Sequence, residues 1–354
     1  MKKIIFFIVS GVIGIALFIG VIYKVGVTSI WQTITGFSFA RWFVILFLYF
    51  LAFIITQYRW KIILKSEGHD LPMSKLFPSK IVGYAVDYFT PSPNAGFGES
   101  FRALVLKKDA GVPFSDGLAS VIIDKMMDFS FGLPFLLFSI FYVLMKFSLS
   151  WKSIAILLIV GLTFIFLIIL FYYKTLRSRD FFGAIIRFLQ LHRLAFVAKF
   201  MDKIGKLELI IIRFFNRDRK ALWQGLGLSV LGGLMTLLAM WFIMISIGLH
   251  ATLLHVVLVS TLTIITFLLP IPGSFGSTET GEALIFSVIG FSPESGVAFS
   301  LIFRSVDFLK VIIGFLFLSH FGIRIGQAIF SKPTLPANGN GNGQATNLSQ
   351  PDKQ

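Results

Sequence analysis

The chain has 354 residues, 56% of them hydrophobic and only 14% charged, with a mean hydropathy of +0.85. A soluble domain of this length has no interior large enough for that much apolar surface, so the composition points to a polytopic membrane protein. The formal net charge is +15 and cysteine is absent, which removes disulfides, thiolate metal sites and cysteine nucleophiles.

A helical span needs about 20 apolar residues. The first run, Ile4–Tyr23, follows a Met-Lys-Lys start and lacks an Ala-x-Ala-like cleavage site, so it is expected to be an uncleaved span. Trp42–Gln57 is the second run, and residues 76–106 are apolar but broken by Pro91, Pro93, Gly96 and Gly98. Phe129–Met145 and Ile154–Tyr173 follow. Segment 174–220 carries Arg187, Arg193, Lys199, Lys203 and other cations, with Phe181, Ile185, Phe188 and Leu189 at helical spacing. It is expected to form an amphipathic helix on the anionic lipids of an inner leaflet. Ala221–Leu249 is the fifth run. Residues 251–289 are broken by Pro270, Pro272, Gly273 and Gly276, and Val297–Leu318 is apolar except for Arg304, Asp307 and Lys310. From 331 onward the polar tail, containing NGNGNGQ, is too poor in apolar residues to fold. The expected fold class is an all-α polytopic membrane protein. About six transmembrane helices and two re-entrant broken hairpins make one integral membrane domain over 1–330.

The basicity invites a nucleic-acid partner, but its placement argues for none. With a cytoplasmic N-terminus, only Lys24, Arg41, Lys146 and Lys152 fall outside, Lys125, Arg304 and Lys310 lie at membrane depth, and the other cations face the cytoplasm. This is the positive-inside asymmetry of a multi-pass cell-membrane protein with both termini cytoplasmic.

An internal repeat recurs at an offset of 179. Pro91 and Pro93 map onto Pro270 and Pro272, and Gly111, Gly117, Ala119, Ile123, Asp128 and Phe129 onto Gly290, Gly296, Ala298, Ile302, Asp307 and Phe308; Lys125 falls on Arg304. Three crossings separate matching points, so the halves, about 4–146 and 154–325, are expected to be inverted. Inverted repeats with interrupted helices mark secondary transporters. One hairpin would enter from the cytoplasm with its tip near Thr90–Gly98, the other from outside with its tip near Pro270–Gly276. The competing reading is two ordinary kinked spans.

Charges inside a membrane pair with each other, face water or serve function. Glu99 and Arg102 lie three apart on the helix after the first tip, and Glu279 and Glu282 three apart after the second. Asp124, Lys125 and Asp128 follow in one half, Arg304, Asp307 and Lys310 in the other. The plain alternative is a pair of structural ion pairs, Lys125–Asp128 and Arg304–Asp307. The functional reading makes Arg102, Lys125 and Arg304 ligands of a lipid phosphate, aided by helix N-termini at the tips. Glu99, Asp128, Glu279 and Asp307 would then bind a proton or a cationic headgroup.

The segments TPSPNAGFGESFRALVLKK, GVPFSDGLASVIIDKMMD and PIPGSFGSTETGEALIF, with the late Arg304, resemble the flippase-like membrane domain of lysylphosphatidylglycerol synthases over nearly all of 1–325. Pro91, Glu99, Arg102, Lys125, Asp128, Pro272, Gly273, Gly276, Glu279 and Arg304 fall on that family's pattern, while Phe97 and Ser274 stand where glycine is common. The resemblance implies movement of a phosphate-headgroup lipid between leaflets: a phospholipid, an aminoacylated phosphatidylglycerol or a polyprenyl-phosphate-linked lipid. No aminoacyl-transferase domain is expected.

An enzyme is the competing class. The five histidines, His69, His192, His250, His255 and His320, are scattered without metal-ligand spacing. Neither a Gly-x-Ser-x-Gly elbow nor a P-loop occurs. The expectation is therefore a transporter with no cofactor and no metal, or else a membrane subunit of a lipid-modifying enzyme; a homo-oligomer is left open.

Overall fold

The computed structural model describes residues 36–89, 96–146, 151–178, 180–188, 190, 201–266 and 271–330, with isolated positions at 19, 23, 28 and 32. The expected first span, the tips at Pro91, Pro93 and Pro270, and the tail from 331 lie outside them. The described residues are helical, with no strand among them.

Ser38 accepts a hydrogen bond from the Arg41 amide and starts α1 (Phe39–Ser66), as an N-cap hydroxyl does. Two helices then run antiparallel, α2 (Met73–Phe89) and α3 (Phe97–Ala110). Their direction follows from the pairs that meet. Lys75 reaches Asp109 at 3.0 Å, Ser79 donates to the Arg102 carbonyl at 2.7 Å, and the Gly98 amide donates to Asp87 at 2.7 Å. Gly98 needs its missing side chain, because a Cβ there would come within 2.3 Å of the Gly83 carbonyl oxygen. Long α4 (Phe114–Lys146) and α5 (Trp151–Leu176) follow, then α6 (Phe182–Phe188) and α7 (Met201–Arg217). Asp218 caps α8 (Arg219–Ser246) by accepting from the Ala221 amide at 2.9 Å. A second antiparallel pair is α9 (Leu253–Thr266) and α10 (Ser277–Val288), joined through a short 3-10 turn at Pro272–Ser274; α11 (Pro293–Phe330) closes the described chain.

Helices α1, α4 and α8 are each long and apolar enough to cross a membrane, and Gly161–Leu176 and Leu253–Ile264 are shorter apolar helical stretches. Phe43, Phe47, Phe50, Ile159, Leu162, Phe166 and Leu234 project outward and exposed, a surface only a lipid environment accepts. This is an all-helical membrane protein.

Two expected boundaries move. The second run continues past Gln57 to Ser66, and the third begins at Phe114 rather than Phe129, taking in Asp124, Lys125 and Asp128. Both helices continue through charged residues because those charges find partners across the bundle. Within segment 174–220, part of the chain docks on the bundle. Leu207, Ile211, Phe214 and Phe215 on α7 are buried against Phe171, Phe181, Ala119, Ile123 and Met127. The apolar stripe of α7 therefore covers protein. Glu208 reinforces this docking by accepting from the Phe181 and Phe182 amides at the start of α6.

Elements 180 residues apart end alike. The chain leaves α1 through Gly68 at φ +90° with His69 N–H donating to Leu64 O at 2.9 Å, and leaves α8 through Gly248 at φ +90° with Leu249 N–H donating to Met244 O at 3.1 Å. The glycines allow this left-handed C-terminal turn. Likewise Gly96 and Gly276 precede α3 and α10 at φ +83° and +76°. Gly117 packs on Ala103, and Gly296 on Ala283.

Candidate functional site

Arg59 on α1 is completely buried. It donates through Nε to Asp124 at 2.7 Å and through Nη1 to Asp128 at 2.5 Å and to Ser229 of α8 at 2.8 Å. A charge buried this deeply is tolerable only when paired and hydrogen-bonded. Asp124 is shared, since Arg102 of α3 donates to its other oxygen at 3.2 Å. The Arg102 guanidinium also lies over the Trp60 ring at 4.3 Å, a cation–π contact. Trp60 is itself held by its indole N–H donating to Ser120 at 3.0 Å. Lys125 pairs with Glu99 at 2.7 Å.

These groups open onto a cavity of about 70 Å³ lined by Thr56, Lys80, Tyr84, Asp87, Glu99, Arg102, Asp124, Lys125 and Asp128. It has room for a few waters or one phosphate-sized group. Lys80, on α2, is the cation of this wall with no carboxylate within salt-bridge distance among the described residues. Its Nζ donates to Thr56 Oγ1 at 2.8 Å and lies 5.2 Å from the Phe53 ring centre. An ammonium carries three donors, so the hydroxyl leaves it with capacity toward the cavity. Nearby, Lys310 pairs with Asp307 at 2.8 Å and lies 5.3 Å from the centre of the Tyr84 ring that lines the cavity.

The second hairpin holds a separate cluster. Arg304 of α11 donates through Nη1 to the Ser274 carbonyl and to Glu279, each at 2.9 Å, and through Nη2 to the Gly273 carbonyl at 2.5 Å and to Tyr88 Oη at 3.1 Å. Its guanidinium lies over Phe275 at 4.2 Å. Glu279 also accepts from the Gly276 amide at 2.7 Å, and so caps α10. The turn it holds contains Gly273 and Ser274, both at positive φ, and follows Pro272. Here Arg304 is a clamp on a strained turn.

Arg102, Lys125, Glu99 and Asp128 thus meet around one cavity, while Glu279 and Arg304 meet at the other hairpin. Lys125 does not pair with Asp128 nor Arg304 with Asp307, although each is three residues from its neighbour. Each cation bonds instead to the glutamate three residues beyond the glycine N-cap, Glu99 after Gly96 and Glu279 after Gly276. Arg59, Lys80 and Asp87 were missed by sequence reasoning. Arg59 and Lys80 look like ordinary cations at span ends, and the available signal was the uncompensated acid pair Asp124 and Asp128 on one face of α4.

The comparisons with known proteins agree with one another. A UPF0104 membrane protein of Methanocaldococcus jannaschii is 26% identical over 279 residues, covering 74% of this chain and 79% of the relative. UPF0104 membrane proteins of Pyrococcus horikoshii and Methanothermobacter thermautotrophicus are 24% and 23% identical, covering 74% and 80% of this chain and 81% and 86% of theirs. No solved structure matches significantly. The family profile described as the lysylphosphatidylglycerol synthase TM region matches residues 7–314, and the chain belongs to that family.

Proposed function

We propose that this protein moves a phosphate-headgroup lipid between the leaflets of a cell membrane, as a transporter and not as an enzyme. The observation that carries this reading is the Lys80 cavity, where an ammonium with donor capacity sits beside Arg102 and Lys125 among membrane-spanning helices. A fixed cation in a low-dielectric wall binds a phosphate far more strongly than one in water. The acids around it keep the empty cavity near neutrality, so the wall can release a headgroup as well as take it. In this reading the two antiparallel pairs are re-entrant, the halves are inverted, and Arg304 shapes the second tip for passage.

The test is Lys80→Met in proteoliposomes of phosphatidylglycerol, scored by dithionite access to a fluorescent phosphatidylglycerol. The substitution keeps the stem against Phe53 and removes the charge. Translocation is expected to fall to the rate of protein-free vesicles while the variant elutes as wild type from a sizing column. Wild-type translocation by this variant overturns the assignment. A second reading, a membrane subunit of a lipid-modifying enzyme, is favoured by the synthase named in the family's description. It expects wild type itself to move no lipid, and a synthase to co-purify with it.

A further inference from the structure

Matching places on the two hairpins hold a cation and an acid. Arg102 and Glu282 stand 180 residues apart, each six positions after its glycine N-cap. The residues they meet on the preceding helix are also 180 apart. Gly83 makes room for the Arg102 stem, where a Cβ would approach Cγ to 2.4 Å, and Thr263 donates its hydroxyl to Glu282 Oε1 at 2.5 Å. Arg102 has an acid partner in Asp124, whereas the Asp124 position recurs 179 residues later as Phe303.

Glu282 has no cation beside it among the described residues. It is 1% exposed, and its Oε2 is buried without a hydrogen-bond partner. On its own helix the nearest charge is Glu279, one turn away and already bonded to Arg304. From α9 it meets Thr263, with Thr266 packed on the adjoining Gly281. On α11, Gly296 lies against the Glu282 carbonyl, so close that a Cβ would come within 2.4 Å. One turn on is Ser300, completely buried with an unpartnered hydroxyl, and one turn further is Arg304, whose donors go to Glu279, Ser274, Gly273 and Tyr88.

An ionised carboxylate in so dry a place is strongly disfavoured, whereas a neutral acid holding one hydrogen bond is tolerated. The Thr263 hydroxyl also reaches the Val259 carbonyl at 2.5 Å, so its single hydrogen can go there while a protonated Glu282 donates to Thr263 Oγ1. The geometry points to Glu282 as a proton-binding site that couples lipid movement to a pH gradient. The proton comes from water on one side of the membrane, forms an O–H bond on the Glu282 carboxyl, and leaves to water on the other side; no other bond changes. Once the proton has left, two carboxylates a turn apart compete for Arg304, and its hold on the Gly273 and Ser274 carbonyls loosens. What the proton drives rests on the transporter reading; where it binds does not.

The experiment uses purified full-length protein in two arms. Infrared spectra in phosphatidylglycerol nanodiscs are expected to show a protonated-carboxyl band at neutral pH that is lost in Glu282→Gln; its absence from wild type overturns the site. In phosphatidylglycerol vesicles, a pH gradient is expected to accelerate wild-type translocation of fluorescent phosphatidylglycerol, Glu282→Gln to lose that acceleration while keeping gradient-free exchange, and Thr263→Val to shift its pH midpoint. Equal gradient responses in wild type and Glu282→Gln, or a response to a sodium gradient in place of pH, overturn the coupling. Wild type that moves no lipid in any condition sinks the transporter reading and the coupling with it, and the infrared band still decides the proton site.

Discussion

At the scale of single residues, the energetics divide into charges that hold the bundle and charges that face the cavity. Arg59 belongs to the first group: its partners Asp124 and Asp128 would be left buried and unpaired without it. Arg59→Met is expected to destabilise the protein by about 3–5 kcal/mol, read as a lowered melting temperature in detergent. Ser229→Ala, which removes one neutral partner of the same guanidinium, should cost about 1 kcal/mol. Equal shifts for the two would mean that Arg59 is not the centre of this network. The Lys125–Glu99 pair is partly open to the cavity, with Lys125 at 33% side-chain exposure, so its orientation is open to exchange. Lys125→Glu alone is expected to abolish lipid translocation, and the swap Lys125→Glu with Glu99→Lys to regain folding without regaining transport, as judged by sizing and the dithionite assay. The sequence singled out Glu99, Asp124, Lys125 and Asp128 through their position beside broken segments, but not Arg59. Their partners were hidden because Arg59 and Asp124 are 65 residues apart, and such a pairing depends on which helices become neighbours.

At the scale of elements, the extensive packing of α1 on α8 depends on small side chains. At Gly232 a Cβ would already meet Thr56 Cγ2 at 3.0 Å, with Ile55 Cγ2 at 3.5 Å. Membrane helices gain close contact from such residues, because lipid offers no hydrophobic drive for their association. Gly232→Leu is therefore expected to separate α1 from α8 and to lower the melting temperature in detergent. Gly227→Leu, where a Cβ would meet nothing within 4 Å, serves as the control and should be silent. The apolar runs made the helices legible from sequence, and the Pro and Gly clusters marked where two hairpins turn. Helix ends were less legible, since Gln57, Arg59 and Asp124 read as polar stops until their partners are known. The matching caps at Gly68 and Gly248 were equally hard to see. One residue fewer between Gly276 and Gly290 than between Gly96 and Gly111 leaves these caps at a spacing of 180, while the later matches and the Pro91 and Pro93 pair recur at 179, the offset that stood out.

At the scale of the whole molecule, the proposed inversion makes a prediction about sidedness. The chain contains no cysteine, so single substitutions report cleanly. Lys107→Cys near the end of α3 and Ser292→Cys just before α11, both exposed, are expected to react with an impermeant thiol reagent from opposite faces of the membrane. Labelling of both from one face would refute the inversion while leaving the helices as described. The two hairpins also touch. Tyr88, at the end of α2, accepts from Arg304 and stacks edge-on against Phe275 at 5.8 Å, so a residue of the first hairpin braces the turn of the second. The end of α2 and the 272–276 turn are therefore mechanically linked: a displacement of either one must break or drag a contact made by the other. This predicts non-additive energetics, with the double variant Tyr88→Phe and Phe275→Leu differing from the sum of the single variants by about 0.5–3 kcal/mol. Two elements linked in this way cannot move independently.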